Sequence, residues 1–485
     1  MIGLIQNRLE FDYDIRSLIQ AFYHGQKIIT AKEGTDFTVL VEYKENEVTI
    51  AVEKGQNIIL SKSAKIVEGQ KTAFCQEEKK VNRNETKKLL YAVLSEYTKQ
   101  QLPWGTMTGV RPTKVGVERL EQGLTSAELE KYYTDHYLVS PQKAKICTKV
   151  AKREIEILSD IAYEKEYSLY VGIPFCPSRC LYCSFTSYPI HRYRTMVMEY
   201  LEAIFLEMDY VAETNKDRRL TSVYIGGGTP TSLSAEQLDL LLTGMEQRFD
   251  LTKVREFTVE AGRPDSIDTD KLKVMKKHPV TRISINPQTM NDETLKLIGR
   301  AHNTVDIVRV YEEARAIGFD NINMDIIIGL PGEDISHVKN TMEQLFELKP
   351  DSLTVHSMAM KRASELKINL EQYQHLIQEG SNAMLEMVDD YATRMNLEPY
   401  YLYRQKNISG NLENVGYSRS GRECLYNILI MEEKQDIIAV GAGASSKYVF
   451  PEENRLERAE NVKDVEQYIH RINEMIDRKK GVGHE

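Results

Sequence analysis

Leu169-Tyr-Val-Gly-Ile173 runs directly into Pro174-Phe-Cys-Pro-Ser-Arg-Cys-Leu-Tyr-Cys183, a β-rich run followed by a loop with cysteines in C-x3-C-x2-C spacing. Thiolates are soft ligands that suit zinc, copper(I) or iron–sulfur clusters. Structural zinc takes four protein ligands, and His191 does not stand at finger spacing from Cys183. A cubane held by Cys176, Cys180 and Cys183 would leave one iron open to a substrate or cofactor. The spacing alone also leaves open a zinc site and three buried free thiols. Cys75, Cys147 and Cys424 have no metal spacing and are expected to be small buried hydrophobes.

Outward from this loop the pattern repeats. Short β-rich runs recur at 222–225, 257–259, 282–285, 322–328 and 353–355. Charged, helix-patterned segments separate them, at 193–214, 234–249, 268–277, 292–297, 305–317 and 337–348. Six β-runs with helices between them predict a parallel sheet with crossover helices, either open or part of a barrel. In both cases ligands gather at the carboxyl ends of the strands. The unusual residues stand there: the cysteine loop, Gly226 to Pro230, Glu260, Gln288, and Gly329 to Gly332.

The flanks read differently. Residues 1–165 begin with alternating strands such as Phe37 to Tyr43 and Val48 to Val52, then turn helical at 115–121, 126–137 and 141–161, with Ser126 and Ser140 as candidate helix starts. Residues 366–485 read as helical over 369–395 and then mixed, with a Gly441-Ala-Gly-Ala stretch that lacks a complete dinucleotide fingerprint. The expected division is an accessory domain at 1–165, a core at 166–365 and a covering domain at 366–485.

Composition narrows the function classes. With 41% hydrophobic and 28% charged residues the 485-residue chain is globular. A net charge of −9 argues against nucleic acid as the principal partner. No apolar run is long enough to span a membrane. The start of the chain does not read as a signal peptide, and few, clustered cysteines point to a reducing cytoplasm.

Tyr170 to Phe185 resembles the radical S-adenosylmethionine (SAM) superfamily, and within it the oxygen-independent coproporphyrinogen oxidase group. The resemblance implies a partial (β/α)6 barrel of α/β class, with a small N-terminal α+β domain and a mixed, largely helical C-terminal domain. It implies a [4Fe-4S] cluster on the three cysteines, with SAM chelating the open iron, and reductive cleavage of SAM to a 5′-deoxyadenosyl radical. Tyr170, Tyr182, Gly227, Gly228, Thr229 and Glu260 would then belong to the cofactor site, and Gln288, Arg300 and Asp325 to a second SAM. Two departures stand out. The family's E-x-N-P element reads Glu260-Ala-Gly-Arg-Pro264 here, and Phe185 takes the place of a fourth cysteine.

Segments 104–114, 258–267, 321–330, 352–364 and 399–407 resemble the HemZ branch. The activity implied is oxidative decarboxylation of two propionates of coproporphyrinogen III to vinyls, giving protoporphyrinogen IX. Its partners would be a tetrapyrrole and an electron donor such as flavodoxin or ferredoxin. Propionates call for cations. Arg404 and Lys406 beside Tyr403 are the first candidates, with Arg111, Lys114, Lys361 and Arg362 behind them. The alternative is a haem chaperone on the same scaffold. That branch carries a His-Asn-x-x-Tyr-Trp motif, where this chain offers Arg422-Glu-Cys-Leu-Tyr-Asn427 and has its single Trp at 104.

Overall fold

Alternation of buried and open positions, with Val39, Val41, Val48, Ile50 and Val52 turned inward, folds the first segment as a sheet. The computed structural model describes all residues except 68–75, 360, 362, 377–379, 406–411 and 484–485; at 76–77 only the backbone is described. The chain divides into two compact units, Met1–Lys152 with Leu402–Glu413, and Arg153–Tyr401 with Asn414–Glu485.

In the first unit five strands, β1 (Ile2–Gln6), β2 (Ile28–Ile29), β3 (Phe37–Tyr43), β4 (Glu47–Lys54) and β5 (Asn57–Lys65), pair in the order β2-β1-β3-β4-β5. Helices Asp12–Phe22 and Gln76–Thr98 bury Ile15, Leu18, Leu90 and Leu94 in the same core. Three more helices follow, Pro112–Glu121, Ser126–Tyr137 and Pro141–Leu158. The second of these is capped by Thr125 rather than Ser126, because only Thr125 has a glutamate three residues on: Glu128 N–H donates to the Thr125 hydroxyl, and the Glu128 carboxylate accepts from Thr125 N–H. Ser140 does cap the third, accepting from Lys143 N–H at 3.4 Å.

The remaining strands are β6 (Glu166–Ile173), β7 (Phe175–Cys176), β8 (Tyr188–Pro189), β9 (Arg219–Gly227), β10 (Glu256–Gly262), β11 (Arg282–Gln288), β12 (Ile322–Ile328), β13 (Ser352–Ser357), β14 (Glu398–Arg404), β15 (Glu413–Ser418), β16 (Asp436–Val440), β17 (Ser445–Phe450) and β18 (Arg455–Glu460), all in the second unit except Leu402–Arg404 of β14 and Glu413 of β15. The large sheet runs β14-β15-β13-β12-β11-β10-β9-β6-β16-β17-β18. From β6 to β13 every neighbouring pair is parallel and each crossover carries a helix, the expected partial barrel. The region after 366 is mixed. It adds β16 parallel to β6 and β15 antiparallel to β13. The stretch read as helical over 369–395 holds a short helix at Leu370–Tyr373, just after another at Glu365–Ile368, and a longer one at Asn382–Arg394 that Ser381 caps. Gly441, at φ 101°, makes the turn after β16, where a Cβ would meet the Gly172 carbonyl oxygen at 2.4 Å. That stretch is a backbone turn, not a nucleotide loop.

Two irregularities position the rim. The ladder slips between Val259 and Gly262 in β10 and between Ile285 and Gln288 in β11. A bulge re-aims the residues at a strand end. Both bulges fall where the strands deliver Glu260 and Gln288, and Gln288 takes a left-handed φ of 68°. Among the described residues no helix is long and apolar enough to cross a membrane.

Candidate metal centre and cofactor site

The cysteine loop leaves β6 and is tied down from several directions. Leu181 N–H donates to Ile298 O at 3.1 Å, Ser178 Oγ to Gly299 O at 3.3 Å, and Arg179 Nη2 to Ala363 O at 2.6 Å. A turn closes it, Cys183 N–H to Cys180 O at 3.0 Å. Cys176 and Cys180 are buried and Cys183 is half-buried. Burial pushes the Cys176 thiol up to about 11 and raises Cys183 as well, so these sulfurs ionise only when a cation takes them.

The Gly226–Pro230 loop lies against the same segment. Gly228 N–H donates to Ile173 O and Thr229 N–H to Phe175 O, both at 2.7 Å. A Cβ on Gly228 would stand 2.5 Å from the Phe175 carbonyl oxygen, so only glycine allows this approach. Thr229 Oγ1 is 3.4 Å from Cys176 Sγ. A Cβ on Gly226 would meet Glu260 Oε2 at 2.9 Å. Glu260 accepts a short hydrogen bond from Tyr224, and burial raises its carboxyl to about 7.

Further along the rim, Arg300 donates to Asn286 O at 2.5 Å and to Tyr182 OH at 3.1 Å. Its Nε and the Gln288 Oε1 are buried without a hydrogen-bond partner, which leaves polar capacity for a ligand. Asp325 accepts from Asn323 Nδ2 at 2.6 Å and faces His356 at 4.0 Å. Tyr170 stacks with Tyr224 and Tyr426, with centroids 6.2 and 6.0 Å away.

Sequence reasoning missed Tyr224, two residues before the glycine run, and Tyr426, inside the Arg422–Asn427 stretch, and it left Arg263 without a contact. Arg263 turns back to the cysteine loop, with Nη1 3.0 Å from Ser178 O and 3.5 Å from Cys180 Sγ. Phe185 is 67% exposed, and Lys361 Nζ lies 5.4 Å from its ring.

The remaining candidates are placed elsewhere. Arg404 belongs to the first unit, where it is buried and donates to Met107 O at 2.5 Å over the Trp104 ring. Desolvation lowers its guanidinium to about 10. Such a group is already committed to the backbone, and a propionate would have to displace that bond. Tyr403 OH accepts from Gln405 Nε2 at 3.2 Å. Arg111 and Lys114 lie at the start of helix Pro112–Glu121. Lys406, Arg362 and Cys75 lie outside the described residues, and Cys147 and Cys424 are buried as expected.

Residues 170–345 match the Radical SAM superfamily model. The chain is also 41% identical over 391 residues to the oxygen-independent coproporphyrinogen-III oxidase-like protein HemZ of Bacillus subtilis, covering 80% of this chain and 78% of that protein. The chain belongs to the radical SAM superfamily. It sits with the HemZ- and HemN-like members. The haem chaperone HemW of Bacillus subtilis is 34% identical over 282 residues, 57% of this chain and 70% of its own. The coproporphyrinogen III oxidase HemN of Escherichia coli shares the fold, with a TM-score of 0.50 at 22% identity over 66% of this chain and 72% of that one.

Radical SAM membership brings a [4Fe-4S] cluster and SAM. The residues present fit both groups. Three thiols share one pinned loop, a glycine cradle with no room for a Cβ faces them, and buried polar atoms stand unpartnered on the rim. Among the described residues no three His, Cys, Asp or Glu side chains converge on a position for a single metal ion.

Proposed function

We propose that this protein is a cytoplasmic, oxygen-independent coproporphyrinogen III dehydrogenase that converts two propionates to vinyls. The observation that carries this reading is the cysteine loop lying beside a rim of polar groups, the buried Gln288 and Arg300 and the half-buried Asp325, at and between the ends of later strands. The first would hold the cluster. The second offers a cation, an amide and a carboxylate to a second SAM or to the substrate's polar edge. When bound and reduced by one electron from a flavodoxin- or ferredoxin-like donor, the cluster and SAM supply the carbon radical that removes a hydrogen atom. Each propionate then loses carbon dioxide and one electron to an acceptor, leaving a vinyl.

The chain's own residues bind, orient and shield. Cys176, Cys180 and Cys183 would hold three irons. Gly227, Gly228 and Thr229, whose N–H groups are engaged by Glu260, Ile173 and Phe175, would bring the backbone close to SAM through its carbonyl side. Glu260, raised to about 7, would take up an ammonium or hydroxyl proton donor once a ligand replaces water beside it. Tyr170 and Tyr182 give the site buried, water-excluding walls. Arg300 stays cationic and suits a carboxylate.

The haem-chaperone reading draws on the HemW relatives. Against it stands the stretch Arg422 to Asn427. Cys424 is buried at the start of helix Leu425–Glu432, whose first N–H groups donate to Glu256, Leu425 at 2.7 Å and Tyr426 at 3.3 Å. That stretch is a helix cap with no haem ligand facing out. The test is anaerobic incubation with dithionite, SAM and coproporphyrinogen III, with product mass analysis beside a haem titration. Vinyl-bearing product supports the enzyme. Stoichiometric haem capture with no product overturns it in favour of the chaperone.

A further inference from the structure

Where the family pattern has one asparagine before the proline, this chain has Gly262 and Arg263, and the guanidinium has a physical consequence. The side chain is 4% exposed. Asp265 grips one edge of it, with Nε donating to Oδ1 at 2.9 Å and Nη2 to Oδ2 at 2.6 Å. His302 holds Asp265 from the other side, Nδ1 to Oδ1 at 3.2 Å. A guanidinium gripped bidentately cannot swing. Its remaining corner, Nη1, therefore points at the cysteine loop, donating to Ser178 O and Oγ at 3.0 and 2.9 Å and approaching Cys180 Sγ at 3.5 Å.

Two other arginines lie near this loop and behave differently. Arg179 donates to the carbonyls of Cys183 and Ala363, and Arg300 to Asn286 O and Tyr182 OH. Of the three, Arg263 is the one whose guanidinium hydrogen-bonds a cysteine sulfur of this loop. Pinning the loop needs no charge, since Ser178 could be held by any amide. A cation on a ligand sulfur does more. Hydrogen bonds to the sulfurs and nearby charge set the reduction potential of an iron–sulfur cluster. The Asp265 carboxylate takes Nε and Nη2, so the corner of the guanidinium that meets the sulfur is the N–H of Nη1.

We propose that Arg263 is a positioning residue that raises the reduction potential of the cluster through an N–H···S hydrogen bond to Cys180, with Asp265 and His302 fixing its aim. The inference rests on the cluster reading of the cysteine loop. One electron from a one-electron donor, dithionite in the test, makes the cluster more negative by one charge, and no atom is gained or lost. A cation in hydrogen-bond contact favours that electron-rich state, so the donor needs less driving force.

The test uses the full chain, reconstituted anaerobically, with iron and sulfide counted and the reduced cluster followed by electron paramagnetic resonance in a potentiometric titration. Arg263→Gln should load the same iron and show at least a tenfold lower ratio of reduced to oxidised cluster at fixed potential, a shift of about 59 mV for one electron. Arg263→Lys should lie between that variant and the wild type. Asp265→Glu, which keeps the charge but moves the grip that aims Nη1, should shift the potential in the same direction as Arg263→Gln. Should Arg263→Gln fail to load iron, Arg263→Lys and Asp265→Glu decide. Fully loaded variants that titrate with the wild type overturn the proposal and leave Arg263 a loop anchor. A wild-type chain that holds no iron overturns the cluster reading and this inference together, and the iron count distinguishes that outcome from a failure of the inference alone.

Discussion

Glu260 gives the most quantitative handle on the site. Its carboxyl is buried and rises from 4.5 to about 7, with desolvation as the leading cause. Below pH 4.5 the folded and unfolded chains both carry the proton, and burial has no pH-dependent cost. As pH rises above 4.5 the unfolded carboxyl ionises first, so the folded state loses stability until its own carboxyl ionises near pH 7. Above that the loss is constant. At about 1.4 kcal/mol per unit, the shift corresponds to roughly 3 kcal/mol at pH 8. Glu260→Gln cannot ionise and still accepts from Tyr224. In cluster-free protein, urea unfolding should therefore show the variant gaining on the wild type between pH 5 and 7 and then keeping that margin. The same variant should bind SAM more weakly in the reconstituted protein. Stability profiles of the two proteins that run parallel from pH 5 to 8 would refute the assignment of a buried, proton-accepting carboxylate.

Cys176→Ala, Cys180→Ala and Cys183→Ala should each abolish reductive SAM cleavage, while Cys424→Ala, buried away from the loop, should retain it; chromatography of 5′-deoxyadenosine reads both. Arg300→Ala should weaken ligand binding by on the order of 2–5 kcal/mol if the partner charge is desolvated, and with Asp325→Ala should depress porphyrinogen turnover more than iron content. Glu207 and Lys479, 0% exposed and 2.5 Å apart, are a buried ion pair that Asn461, Tyr468 and Gly441 N–H also contact. Lys479→Met should destabilise by about 3–5 kcal/mol because it strands the carboxylate, and adding Glu207→Gln should recover part of that loss; urea midpoints of the single and double variants check it.

The strand–helix alternation was legible in part because four of the intervening helices start at a cap residue. Ser234, Asp268, Asn303 and Asp334 all accept from backbone N–H groups at helix starts. The site's cysteines and glycines were legible because their spacing is itself the chemistry. The bulges at Glu260 and Gln288 were not, since a register slip depends on the neighbouring strand rather than on local composition. Nor was the fate of Arg404. A Tyr-Arg-rich stretch has the same composition whether it clasps a ligand or, as here, satisfies the carbonyl of Met107. Arg263 was visible as a departure from pattern, but its meaning required Asp265 and Cys180 to be placed around it.

The position of β6 also bears on how the protein is made. This strand leads into the cysteine loop and lies between β9 and β16, with Tyr167 opposite Leu220 on one side and Asp436 on the other. A ribosome supplies the first neighbour soon after β6 emerges. The second comes some 270 residues later, a delay on the order of tens of seconds at roughly 5–20 residues per second. Throughout that interval the strand below three thiols has one unpaired hydrogen-bonding edge, open to pairing with another nascent chain. Iron delivery during synthesis would meet a loop whose base is half-built. Until the strand at 436–440 docks, the loop that carries the thiols rests on a sheet that is open along one edge.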